Sequence, residues 1–210
     1  RSCNAAISAC EKAGNWCHAL SLLSSMFDRH LTPDVITINA AISACEKTGP
    51  WQLALALFLS TPAYRLAPTV ISCSATISAC ETAGHWRLAL ELLDSMPGYR
   101  IAANVVSCNA AISACEKAGQ WLRALALLDS MSVWRLAPDV VSCGAAIDAC
   151  AKAGHWQLAL VVLFSMPEHC AVPDVVAFAA TINACERAGR GHLLIDLLSS
   201  LSACCTGLID

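Results

Sequence analysis

VVSCNAAISACEKAG, residues 105–119, is the stretch from which the rest of the chain can be read. It recurs as VITINAAISACEKTG at 35–49, as VISCSATISACETAG at 70–84 and as VVSCGAAIDACAKAG at 140–154. A truncated copy, SCNAAISACEKAG, starts at Ser2, and a diverged one, VVAFAATINACERAG, runs over 175–189. Trp16, Trp51, Trp86, Trp121 and Trp156 keep the same spacing of 35, as do Gly14, Gly49, Gly84, Gly119, Gly154 and Gly189. The chain therefore reads as one array of about six units: a partial one at 1–34, then 35–69, 70–104, 105–139, 140–174 and a diverged 175–210. A fixed period of this length marks stacked supersecondary units rather than a domain with one closed core. Parts that are the same in every unit carry no information about a ligand, so selectivity must come from the positions that change.

Each unit is helical twice over. In the fourth, Val105, Cys108, Ile112 and Cys115 fall at i, i+3, i+7 and i+10, which is one face of a helix. Gly119 supplies the left-handed residue that ends it. A second helix starts near Trp121, with Trp121, Ala124, Leu125, Leu128 and Met131 as its apolar stripe. Pro50 fits the first turn of a second helix, where its missing N–H costs nothing. Pro62, Pro97 and Pro167 stop that helix in three units. The loops then close in Pro33-Asp34, Pro138-Asp139 and Pro173-Asp174, just before the next helix. One hairpin cannot bury its own apolar face, but stacked hairpins can. The expected fold is all-α: a right-handed α-solenoid with the first helices lining a concave surface. The Trp series sits on the second helix and is read as packing between helices.

Composition narrows the function. The chain is 57% apolar, mostly Ala, Leu, Cys and Val, yet its longest apolar runs, such as Leu158–Phe164, are far below the roughly 18 residues of a membrane helix. Of 14 cysteines, Cys10, Cys45, Cys80, Cys115, Cys150 and Cys185 stand 35 apart, and Cys3, Cys73, Cys108 and Cys143 lie seven residues earlier. On a helix that offset is about 10 Å along the axis, too far for two ligands of one metal. These cysteines read as small apolar core residues in a reducing compartment, with no metal or cofactor implied. The histidines, His18, His30, His85, His155, His169 and His192, are scattered, and no catalytic constellation forms, so the chain is not read as an enzyme. It starts at Arg1 inside a repeat and ends in an apolar tail from Ser199, where a solenoid would need a polar cap. A piece of a longer protein is expected, with any targeting segment and further repeats or domains outside it.

The helical hairpin V-V-S-C-N-A-A-I-S-A-C-E-K-A-G-x-W-x-x-A-L-x-L-L-x-x-M, closing in Pro-Asp, resembles the pentatricopeptide repeat family, with P-type 35-residue repeats, over the whole chain. The tetratricopeptide repeat, with 34 residues and a W-x2-L-G-x2-Y signature, fits less well. The resemblance implies single-stranded RNA binding, one base per repeat, read by two or three side chains. It also implies a mitochondrial or plastid location and a role in organelle RNA processing, stability, editing or translation. The implied readers are the fifth residue of each repeat and the last residue before the next. These are Asn4 with Asp34, Asn39 with Thr69, Ser74 with Asn104, Asn109 with Asp139, and Gly144 with Asp174. Ala179 has no polar group and Ile209 is out of pattern, so the sixth unit is expected to read nothing. Under the family's code the expected core is 5′-U-Y-A-U-(G)-3′.

Physical chemistry supports that placement. Val106, Asn109, Ser113 and Lys117 are spaced three, four and four apart and form one stripe. The stripe offers an apolar surface for a base, an amide for its edge and a cation for its phosphate. The corresponding apolar residues are Ile36, Ile71, Val106, Val141 and Val176, and the cations are Lys12, Lys47, Lys117, Lys152 and Arg187. Purely structural roles compete: helix-start hydrogen bonds for the Asn residues, N-capping for the Asp residues, and a favourable helix C-terminus for the cations. Capping and base reading are compatible. A net charge of -3 and the acids Glu11, Glu46, Glu81, Glu116 and Glu186 dilute any phosphate attraction. The alternative reading is a helical scaffold for a protein or peptide partner.

Overall fold

The computed structural model describes residues 2–169 and 171–190. Gly191, His192 and the stretch 199–210, with Cys204, Cys205 and Ile209, lie outside the described residues. Within them the chain is all-helical, with no strand. The first helices of the repeats are α1 (Ser2–Lys12), α3 (Val35–Thr48), α5 (Val70–Thr82), α7 (Val105–Lys117), α9 (Val140–Lys152) and α11 (Val175–Arg187). The second helices are α2 (Trp16–Asp28), α4 (Trp51–Ser60), α6 (Trp86–Ser95), α8 (Trp121–Val133) and α10 (Trp156–Ser165). Packing divides the chain into two compact units, 1–114 and 115–210, with the division inside α7. In the first unit α1/α2, α3/α4 and α5/α6 are hairpins, α1 packs on α3 and α3 on α5, and α2 and α4 each pack on the next first helix. In the second, α9/α10 is a hairpin, α9 packs on α11, and α8 and α10 pack on α9 and α11.

The core follows the period. Ile7, Ile42, Ile77, Ile112 and Ile147 are fully buried at one repeat position on the first helices α1 to α9. Around them lie Ala41, Ala111 and Ala146, the cysteine pairs Cys73/Cys80, Cys108/Cys115 and Cys143/Cys150, Met26 and Met131 from the second helices, and Met96 and Met166 from the turns that follow them. Each Ile contributes roughly 1.5–3 kcal/mol by leaving water. The small residues beside it let neighbouring first helices approach closely. Thr61 takes the place of Met in the second repeat and satisfies its buried hydroxyl on the Phe58 carbonyl at 2.8 Å. The Trp residues open the second helices and are half-buried, as a packing role requires. Trp51 packs at a tilt against His85 of the next repeat, and Trp121 against His155, with ring centroids 4.2 and 4.0 Å apart.

Proline sets the length of the second helices. Phe27, Pro62, Pro97, Ser132 and Pro167 occupy one repeat position. Where it is Pro, the α-helix ends at Ser60, Ser95 or Ser165 and the chain continues as a 3₁₀ turn. Where it is not, α2 and α8 run on to 13 residues. Pro has no N–H for the i–4 carbonyl, so the ladder switches at that point. The second helices then close on a left-handed residue: His30, Arg65, Arg100 and Arg135 have φ of 55° to 60°. The next amide reaches back five residues, as from Leu66 to the Thr61 carbonyl at 3.0 Å.

The first helices end on Gly14, Gly84, Gly119, Gly154 and Gly189, all at positive φ, as expected for Gly119. Gly49 differs: its φ is -90° and ψ 167°. Pro50 follows it and excludes helical backbone for the residue before. Gly is still needed there, because a Cβ would stand 2.7 Å from the Cys45 Cα. Pro50 itself is the N-cap of α4, one residue ahead of the first-turn position expected for it. Replacing Ile77 by Ala should cost about 2–5 kcal/mol of stability, read as a lower denaturant midpoint at unchanged slope. An Ile77→Ala chain as stable as the parent would show that the ladder of isoleucines is not the core.

Candidate nucleic-acid interface

The last residue of each repeat is the N-cap of the next first helix. Asp34, Thr69, Asp139 and Asp174 have extended backbone, and their side chains accept from the amides of Thr37, Ser72, Ser142 and Ala177. Asn104 Oδ1 does the same for Ser107 at 2.8 Å. In three repeats the residue three further on returns the bond: the hydroxyls of Ser72, Ser107 and Ser142 accept from the backbone amides of Thr69, Asn104 and Asp139 at 2.7 to 3.0 Å. The capping role is therefore real at every one of these positions.

The fifth residue of the preceding repeat joins that cap. Asn4 Nδ2 donates to Asp34 Oδ2 at 2.8 Å, while Thr37 Oγ1 lies 2.7 Å from both Asn4 Oδ1 and Asp34 Oδ1. Asn39 Nδ2 donates to Thr69 Oγ1 at 3.0 Å. Ser74 Oγ reaches Asn104 Oδ1 at 3.4 Å, a long contact. Residues 30 apart in sequence thus form one polar pair in each of the first three repeats. With these three bonds on the capped Asp34 carboxylate, its pKa lies below the usual range; the Thr37 amide is the largest cause, and partial burial opposes it. Asn109 is half-buried beside Cys108 on α7, and Asp139 caps α9 in the other compact unit. Gly144 brings only backbone to α9, and Ala179 on α11 is exposed without a polar group.

Ile36, Ile71, Val106, Val141 and Val176 are between 58% and 66% exposed, one on every described first helix from α3 onward. All five are β-branched and share one repeat position, although Val133, Val161 and Val175 are exposed on the helices as well. Within the first unit Ile71 and Val106 are walls of a cavity of about 240 Å³. Ser74 and Asn104 lie in the same cavity, which therefore holds two apolar walls and one polar pair. It also holds Ser43, Glu46 and Ser78; repeat position marked the serine site through Ser113 and Glu46 only as a charge that dilutes phosphate attraction. The signal was present as Ser43/Ser78/Ser113 and Glu11/Glu46/Glu81/Glu116, each 35 apart. What spacing does not show is that the serine of one repeat meets the carboxylate of the previous one. Ser113 Oγ donates to Glu81 at 2.8 Å, and Ser78 bonds Glu46 in the same way.

Lys12, Lys47, Lys117, Lys152 and Arg187 are all exposed near the ends of the first helices. Lys152 is held in an ion pair with Glu116, with Asp148 nearby, and that hydrogen bond pushes its pKa up. The cysteines take no part. Burial pushes the thiols of Cys45, Cys73, Cys80, Cys108, Cys115, Cys143 and Cys150 up to about 11, so they stay protonated and unreactive. Among the described residues no group of His, Cys, Asp or Glu is placed to hold a metal, and no helix is long and apolar enough to cross a membrane.

Family models agree with this geometry. The pentatricopeptide repeat domain model matches residues 1–48 and 64–118, the PPR repeat family model 103–152, and the PPR repeat model 141–170. The chain belongs to the pentatricopeptide repeat family. No curated protein matches it by sequence. Solved pentatricopeptide proteins share its α-solenoid fold. PPR10 from maize superposes with a TM-score of 0.75 at 23% identity, over 95% of this chain and 29% of that one. PPR10 in complex with an 18-nt psaJ RNA element gives 0.77 at 20% identity, over 96% and 30%. The PPR domain of Arabidopsis thaliana protein-only RNase P 1, in complex with tRNA, gives 0.74 at 12% identity, over 86% and 95%. The chain thus spans less than a third of the PPR10 chains it matches.

The carboxyl of Glu46 gives this pentatricopeptide surface a pH signature. Burial raises its pKa, with Glu81 and Glu11 adding to the rise and Ser78 and Lys47 opposing it. Between its unfolded and its higher folded pKa the folded chain holds the extra proton, so stability falls as pH rises through that window. Glu46→Gln removes the titration and keeps an acceptor for Ser78. The variant's denaturation midpoint, relative to the parent, should therefore rise as pH climbs from the ordinary carboxyl range through the raised folded value. A constant difference would show that Glu46 titrates as a solvated carboxyl.

Proposed function

We propose that this chain binds single-stranded RNA, one nucleotide per repeat, with the core 5′-U-Y-A-U-(G)-3′. The observation that carries the reading is the cavity between Ile71 and Val106, with Ser74 and Asn104 at one end. A base inserted there has an apolar residue against each face and hydrogen-bonding groups at its edge. Asn104 Oδ1 is engaged with Ser107 and Ser74, so its NH₂ arm is the group offered to a ligand. An NH₂ donor matches the ring nitrogen acceptor of adenine. The carboxylates at Asp34 and Asp139 can only accept, which matches the N3–H of uracil. Gly144 with Asp174 offers one acceptor, the weakest basis for a guanine. The solved relatives crystallised with an 18-nt RNA element and with tRNA support RNA as the ligand. Action on organelle RNA in processing, stability, editing or translation, in mitochondria or plastids, is part of the same proposal.

Affinity should rest on base contacts. The net charge is -3, and Lys152 is already paired. Few phosphates are neutralised, so dissociation constants on the order of micromolar or weaker and a shallow salt dependence are expected. The acidic groove residues Glu46 and Glu81 favour one rival occupant, a basic peptide in a scaffold role. Anisotropy titration of the chain with a U-Y-A-U RNA against a scrambled one separates these. Preference for the matched RNA supports base reading. Equal binding of both, or none even at low salt, overturns it. Asn104→Asp replaces the donor arm by a second acceptor. The third-base preference should then move from adenine to guanine, which offers donors at N1 and N2, by about tenfold.

A further inference from the structure

The cavity is lined by more polar groups than the base-edge pair Ser74 and Asn104. Ser74 and Ser78 are one turn apart on α5, about 6 Å along the axis, and Ser78 bonds Glu46 from the previous repeat. Both line the cavity, with Ser43 beside them. Lys47, exposed, follows Glu46 in the last turn of α3. Along the first helices, toward their C-terminal ends, the order is base-edge residue, hydroxyl–carboxylate pair, cation. A nucleotide presents base edge, ribose and phosphate in that same order. Resting on the RNA reading above, we propose that Glu46, positioned by Ser78, is a ribose-recognition residue: its carboxylate accepts the 2′-OH of the nucleotide whose base lies between Ile71 and Val106.

The chemistry is that of a carboxylate with spare capacity. Its two oxygens have about four acceptor sites, and Ser78 uses one. A 2′-OH donates as well as accepts, and hydrogen bonds to an ionised acceptor are the stronger kind. DNA has no such donor, so a carboxylate here repels its backbone and receives nothing in return. This also accounts for a row of acids in a groove meant for a polyanion. Glu81 with Ser113 repeats the pair, 2.8 Å apart, for the fourth nucleotide. At the fifth repeat the device is lost: Asp148 replaces the serine, and Glu116 is tied to Lys152.

Single 2′-deoxy substitutions in a U-Y-A-U-G RNA, titrated against the whole chain, test this. At the third nucleotide the substitution should weaken binding about three- to thirtyfold in the parent, and should cost nothing in Glu46→Ala. Ser78→Ala, which keeps the carboxylate but frees it, should give a reduced penalty. The fifth-nucleotide substitution should leave the parent unaffected. Comparing the four combinations cancels the general gain from removing a negative charge. An equal penalty in the parent and Glu46→Ala would overturn the assignment, as would no penalty in a parent that still prefers adenine at that position. A further arm replaces the adenine by a purine lacking its 6-amino group. If Glu46→Ala couples to that change rather than to the 2′-OH, the carboxylate reads the base and the ribose assignment is wrong. Loss of the adenine preference itself would identify the base-reading proposal as the one that fails.

Discussion

Each first helix from the second repeat onward starts at a side-chain cap, and in the first unit that cap is also where one repeat touches the next. A helix begins with amides that lack partners. Asp34, Thr69 and Asn104 each satisfy one of them and, with another lone pair, accept from Asn4, Asn39 or Ser74 of the repeat before. The side chains that start the helix are thereby fixed in position without any ligand. Preorganisation of this kind lowers the cost of binding, since no long side chain has to be ordered when a base arrives. It also limits what can be changed. A substitution at the last position alters a cap worth roughly 1 kcal/mol as well as the proposed recognition group, so Asp, Asn, Thr and Ser are the residues suited to both.

Charge in the groove has a similar double use. A row of carboxylates beside a proposed RNA path would be a liability if it only repelled phosphate. Here Glu46 and Glu81 bind the serines of the following repeat, and Glu116 binds Lys152. They hold adjacent first helices in register at a level where the core beneath is only Ala, Cys and Ile. The same acids offset the attraction of the groove's cations for a polyanion, in keeping with the proposal that discrimination lies in the base-edge pairs.

Much of this was open to inspection in the one-dimensional pattern, because stacking hairpins is a local rule repeated. The spacing of Cys108, Ile112 and Cys115 shows the buried face, and the glycine after it shows the turn. The exceptions trace to single contacts. Pro50 removes the left-handed option from Gly49 and becomes a cap rather than a first-turn residue. Pro62, Pro97 and Pro167 shorten three second helices by one turn but leave a 3₁₀ extension that periodicity does not distinguish. Arg65, Arg100 and Arg135 hold left-handed backbone that Gly would adopt more easily, and nothing in their residue type announces it.

The linear order alone specifies the repeat, the two helices in it, the residues they bury and the positions free to vary, since each of these depends on neighbours within about one turn or one hairpin. It does not specify which variable side chains meet. Asn4 and Asp34 are 30 residues apart and Ser113 and Glu81 are 32 apart. Those distances close only when one hairpin packs on the next. The 35-residue period identifies the members of each pair, but the packing of first helix on first helix decides that they touch, that Ile71 and Val106 wall one cavity, and that Glu46 stands inside it.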